Sequence, residues 1–172
     1  MDFFVSIIVG IISGLIASYI FLMYYLKRKK PIIGMSKYIS KQEFKGETNY
    51  FFKFINNTKS EIYDVKVEAT FYKPVGDIEG RNLRGTDIEL KDDFFMYIPH
   101  CKDSDKDNLH AIRIRTTNDI ENSWQDDSSF IRLTIMAKHS LSGLNKVYSK
   151  DFNTKDCITL KKFVSGNKLY VN

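Results

Sequence analysis

Cysteine and proline are scarce in this chain, and catalytic signatures are missing. Cys101 and Cys157 are the two cysteines among 172 residues, too few for a disulfide framework and in keeping with a reducing compartment. Three prolines remove few of the N–H donors that a sheet needs. No Gly-x-Ser-x-Gly elbow, Walker-type phosphate loop or zincin pair occurs, and scattered Ser, His and Asp residues make no triad without geometry. Asp103, Asp105 and Asp107 have the odd spacing of a calcium loop, but Asn108 stands where the turn needs Gly and Ile114 where a bidentate Glu belongs. A solvated turn is expected there. His100 and Cys101 offer one metal ligand each with no second close pair, and His110, His139 and Cys157 stand alone. The chain reads as a non-enzymatic protein with no metal and no cofactor.

What it does have is an unbroken apolar run from Phe3 to Leu26, followed at once by Lys27, Arg28, Lys29 and Lys30. At about 1.5 Å per residue the run makes a helix roughly 36 Å long, enough to cross a hydrocarbon core. A cleaved signal peptide would show a basic start, a shorter apolar core and a small-residue cleavage site; Asp2, the length of the run and the cations after it fit none of these. The cations predict a single-pass anchor in the cell membrane, N-terminus outside and C-terminal domain cytoplasmic. Lys27, Arg28, Lys29 and Lys30 are then placed to meet anionic lipid headgroups, at about 1 kcal/mol per cation. Within the span Ser6, Gly10, Ser13, Gly14, Ala17 and Ser18 fall within an arc of roughly 140°. A stripe of small residues permits close backbone approach, so a helix–helix interface is expected, with a second copy or with another membrane protein.

The net charge of +5 suggests nucleic acid until it is mapped. Residues 1–30 hold four of the 26 basic and one of the 21 acidic residues, leaving 22 against 20 beyond them. The remainder is nearly balanced, and a nucleic-acid partner is not expected.

Residues 31–172 suffice for one domain with a substantial core. Val65, Val67, Ala69 and Phe71 alternate with Lys66, Glu68 and Thr70, and Ile131, Leu133, Ile135 and Ala137 alternate with Arg132, Thr134, Met136 and Lys138. Each series predicts a half-buried strand. Further strands are expected over 32–39, 48–55, 86–90, 94–98, 109–116, 146–152 and 168–171, with turns at Asn56-Asn57-Thr58, Ser142-Gly143 and the polar run 103–108. About seven to nine short strands predict an all-β domain: an antiparallel immunoglobulin-like sandwich, with a small barrel as the alternative. Pro31 stiffens a very short linker, which keeps the domain near the bilayer.

Three runs carry a resemblance: Pro31-Ile32-Ile33-Gly34-Met35-Ser36, Tyr50-Phe51-Phe52-Lys53-Phe54-Ile55-Asn56 and Ile62-Tyr63-Asp64-Val65-Lys66-Val67-Glu68-Ala69. They resemble the opening strands of the cytoplasmic sandwich of inward-rectifier potassium channels, where an immunoglobulin-like domain also follows a transmembrane helix. The likeness implies architecture only. This chain has one apolar span and no Thr-x-Gly-Tyr-Gly segment, so neither a pore nor any functional residue carries over.

Two basic features remain. Residues 73–85 read as a long connection containing Gly76, Gly80, Gly85, Arg81 and Arg84, and long loops on rigid scaffolds bind partners. Arg113 and Arg115 share one strand face, Arg132 and Lys138 another; paired strands would join them in a basic ladder for a small anionic ligand. The alternative is an ordinary charged face neutralised by Asp119, Glu121, Asp126 and Asp127. Trp124, in the same acidic loop, is either a packing plug or an exposed contact. Two functions are consistent with these features: a membrane-anchored binding or assembly module, and a ligand-gated effector whose oligomerisation rearranges the spans in response to a nucleotide or other anionic signal, in the manner of bacterial defence effectors.

Overall fold

The computed structural model describes residues 2–28, 30–44, 46–75, 82–101 and 107–172. Lys29, Arg81, Asp103 and Asp105 lie outside the described residues, as does the side chain of Lys27. The elements are α1 (Asp2–Arg28), β1 (Ile33–Met35), β2 (Ile39–Phe44), β3 (Glu47–Asn56), β4 (Ile62–Val75), β5 (Asn82–Ile88), β6 (Phe94–Ile98), β7 (Ala111–Thr116), α2 (Ile120–Ser123), β8 (Phe130–His139), β9 (Asn145–Phe152) and β10 (Ile158–Thr159). Within α1 the run Phe3–Leu26 is long and apolar enough to cross a membrane, and none of it is buried against the rest of the chain.

Beyond α1 the described residues form two five-stranded sheets. In the first, β3 is central: β7 lies on one edge, and β2 and β1 share the other. In the second, β4 is central: β8, followed by β9, lies on one edge, and β5 and β6 share the other. All pairs are antiparallel except the two-residue contact of β10 with β2. Strand alternation decides which residues face inward. Tyr50, Phe52 and Phe54 of the first sheet join Val65, Val67, Ala69, Phe71, Ile131, Leu133 and Ile135 of the second in one buried core. Ring pairs cross between the sheets, Phe52 with Phe152 at 5.8 Å and Phe54 with Phe95 at 6.2 Å. At about 1.5–3 kcal/mol per fully buried large side chain, this core dominates stability. The curled sheets fit a sandwich or a barrel.

Several sequence expectations change. The strand over 32–39 breaks after Met35, because the Ser36 hydroxyl accepts from the Tyr38 N–H at 3.1 Å and donates to the Leu169 carbonyl at 2.7 Å, drawing the chain out of the ladder. The strand β2 beyond Ile39 carried no clear apolar period. Residues 73–85 are not a long loop: β4 runs to Val75 and β5 begins at Asn82, with Lys73 opposite Arg84 and Pro74 opposite Leu83. Pro and Gly read as breakers, yet Pro74 lies in β4 beyond its last pair with β8, where the strand has β5 alone beside it, and Gly85 lies in the edge strand β5. Of 168–171, Val171 alone makes a β-bridge, to Phe163. Trp124 is a packing plug, buried edge-on against Phe71 at 5.9 Å. Cys101 and Cys157 are free, and burial pushes the Cys157 thiol up to about 12.

Candidate anion groove

Register assembles the site on the outer face of the first sheet. Lys53 stands opposite Arg113 and Phe51 opposite Arg115; on its other side Phe51 meets Ser40. Across this face the C-terminal segment runs as a strap, held by side chains that donate to its carbonyls. Gln42 Nε2 donates to Leu160, and Ser40 Oγ to Lys161 at 2.7 Å. Arg113 Nη2 donates to Phe163 at 3.2 Å. Lys53 Nζ places its three N–H donors on Val164, Gly166 and Lys168 at 2.6, 2.7 and 2.8 Å.

The strap explains why Lys53, on an outer sheet face, is only 1% exposed. Burial and the adjacent Arg113 guanidinium push its ammonium down to about 8. Like charges directly opposite each other are unfavourable, and among the described residues no carboxylate lies at ion-pairing distance from Lys53, Arg113 or Arg115. Arg115 instead stacks over the Phe44 ring at 4.8 Å and donates to Asn49 Oδ1 at 3.3 Å.

Beside these cations lies a groove of about 280 Å³. Phe44, Phe51 and Phe163 give it apolar walls; Arg113, Lys162, Ser40 and Gln42 give it donors, and Glu43 is its one carboxylate among the described residues. A cleft of about 660 Å³ opens at the other end of β3 from Asn56, lined by Lys41, Glu47, Tyr50, Asp119 and Glu121 among others. Its charges largely satisfy one another. Lys41 pairs with Glu121, and the Tyr50 hydroxyl donates to Asp119 Oδ1 at 3.3 Å. Burial, then Glu121, raises the Tyr50 pKa, and the bond to Glu121 raises that of Lys41. The smaller groove is the one with unmatched charge.

The sequence-derived ladder does not form. Arg113 and Arg115 lie in the first sheet, whereas Arg132 and Lys138 lie in the second. Arg132 grips Asp151 through Nε and Nη2 at 2.7 and 2.8 Å, holding its own pKa up and that of Asp151 down. Lys138 faces Asp64 at 3.5 Å. The expected neutralising acids act elsewhere: Asp119 caps α2 by accepting from the Asn122 N–H at 3.1 Å, and Asp126 accepts from the Ser128 and Ser129 hydroxyls and, more weakly, from their N–H groups, which lowers its pKa. Arg84 is exposed opposite Lys73. Sequence reasoning missed Phe44, Phe51, Lys162, Phe163 and Lys53. The last carried a signal, a lone cation inside the aromatic run of β3.

On α1, Ser6, Gly10, Ser13, Gly14, Ala17 and Ser18 are all exposed. A Cβ at Gly10 or Gly14 would meet nothing within 4 Å, and Ser13 Oγ donates to the Gly10 carbonyl at 3.0 Å. At the helix end Arg28 covers the Tyr24 ring at 4.4 Å, and Lys30 is exposed. Comparison with known proteins adds no family to this geometry: no family model matches the chain, and no curated protein matches its sequence.

Proposed function

We propose that this chain is a single-pass, membrane-anchored binding module without enzymatic activity. In this reading its immunoglobulin-like domain sits at the cytoplasmic face of the cell membrane and takes a small organic anion in the groove over β2, β3 and β7. The observation that carries it is the pair Arg113 and Lys162 in the groove's lining, with Arg113 set beside Lys53 and Arg115 and none of these cations in an ion pair among the described residues. Such a cluster costs folding free energy that a bound anion offsets. The phenyl walls of the groove suit a flat apolar body attached to that charge. The cations that follow the span support a cytoplasmic domain. Lipid is the constant partner, and nucleic acid is not one.

The test uses the full chain in detergent micelles, titrated with phenyl phosphate, inorganic phosphate and phenol while thermal stability and heat of binding are followed. Phenyl phosphate is expected to bind most tightly, and the Arg113→Gln/Arg115→Gln variant to lose that binding with its fold intact. Identical titrations of parent and variant, or no response to any of the three, refute the groove.

A second reading, an effector that oligomerises through its span when an anion binds, rests on the open surface at Gly10 and Gly14. The two readings share the groove and differ in what α1 does.

A further inference from the structure

We propose that the end of the β domain from which α1 emerges is itself a lipid-binding surface, seated in the headgroup layer of the leaflet that α1 leaves. This deepens the anchored reading above and rests on it. The argument starts from chain length. α1 ends at Arg28, and Pro31 is already buried in the domain. Three steps of about 3.8 Å bound the separation at roughly 11 Å. The entry is also pinned: the Ile32 N–H donates to Thr58 Oγ1, the Asn57 N–H donates to the Ile32 carbonyl, each at 2.8 Å, and the Tyr148 hydroxyl donates to the Pro31 carbonyl. A domain fixed this closely to a spanning helix cannot keep that end away from the bilayer surface.

Register shows which groups share the end. Ile33 pairs with Asn56, Ala111 with Ile55, and Ile62 with both Ile98 and His139. The segments around Ile32, Leu109 and Leu141 therefore lie together there. All three side chains face outward, Ile32 at 52%, Leu109 at 59% and Leu141 at 65% exposure. Leu141 occupies the tight β8–β9 turn, which Gly143 closes at φ +66° with its N–H on the His139 carbonyl at 2.9 Å. That turn projects a leucine at no structural need of the core. Lys30, Lys59 and Lys146 are exposed on the same end with no carboxylate at ion-pairing distance among the described residues. Aliphatic tips with cations around them are the composition of a surface that dips into an anionic headgroup layer.

The experiment reconstitutes the full chain, α1 included, in vesicles of phosphatidylcholine and phosphatidylserine, and replaces one exposed leucine at a time by tryptophan. Leu141→Trp and Leu109→Trp probe the seated end. Leu83→Trp, in β5 beside the far end of β4, is the control. Trp124, buried in the core, gives a constant background removed with the parent spectrum. Lipids brominated near the headgroup are expected to quench most of the added emission at positions 141 and 109 and little at 83. Equal, weak quenching at all three positions, in protein that stays with the vesicles through a carbonate wash, overturns the seating and leaves the anchor standing. Protein washed off the vesicles overturns both. Because both leucines are exposed, their replacement leaves the core untouched.

Discussion

Replacing Asn56 by Ala should cost the domain far more than any turn asparagine on its surface. The side chain is fully buried and ties three segments together. Its Nδ2 donates to the Pro99 carbonyl at 2.9 Å and, at longer range, to those of Ser60 and Ile98 at 3.2 and 3.4 Å. Its Oδ1 accepts from the Thr58 N–H at 2.9 Å. Truncation leaves at least two buried backbone groups without partners, each worth about 1–3 kcal/mol. Partial relaxation of the loops and entry of water bring the expected total to about 3 kcal/mol. In a domain of this size that lowers the melting temperature by about 10 °C. The assay is thermal and guanidinium unfolding of the full chain in micelles, read by the far-ultraviolet signal of the strands. Asn145→Ala, at an exposed strand end, is the control and should stay within about 0.5 kcal/mol of the parent. A loss below about 1 kcal/mol for Asn56→Ala would show that the loops at this end are held by other contacts, and the argument from Asn56 as their common anchor would fail.

Two further predictions concern the buried cation and the helix. The folded-state pKa of Lys53 is pushed down from 10.5 to about 8, so between these values the unfolded chain holds a proton that the folded chain has released. The contribution of Lys53 to stability therefore rises with pH across that window, and Lys53→Met should flatten the rise in unfolding free energy; an unchanged pH profile refutes the shift. Replacing Gly10 and Gly14 by Ile should leave α1 in the membrane but separate associated helices at a cost of about a few kcal/mol. The same change at Val9 and Leu15 should do nothing, and equal crosslinking in parent and both variants would remove the basis for the effector reading.

The sequence alone determined what a local period can report. An apolar run of the length of α1 admits few readings, because only a helix satisfies every backbone group away from water. Alternation over Val65–Phe71 and Ile131–Ala137 placed β4 and β8 with the correct inward faces, since a strand's side-chain period is fixed by its backbone. Partnership between distant segments was not legible. Arg113 and Arg132 looked equivalent because each alternates outward on its own strand; only the pairing of β7 with β3 and of β8 with β4 and β9 puts them in different sheets, one facing Lys53 and the other gripped by Asp151. The turn reading of Asn56-Asn57-Thr58 was local and sound, but the burial of Asn56 depends on carbonyls more than forty positions away. Lys53 is the clearest case. Its partners lie 111 to 115 residues further along the chain, and no local pattern encodes a strap that returns across a sheet to take up three N–H donors. Local sterics and alternation fix elements, whereas the closing of long loops against a shared core fixes which elements meet.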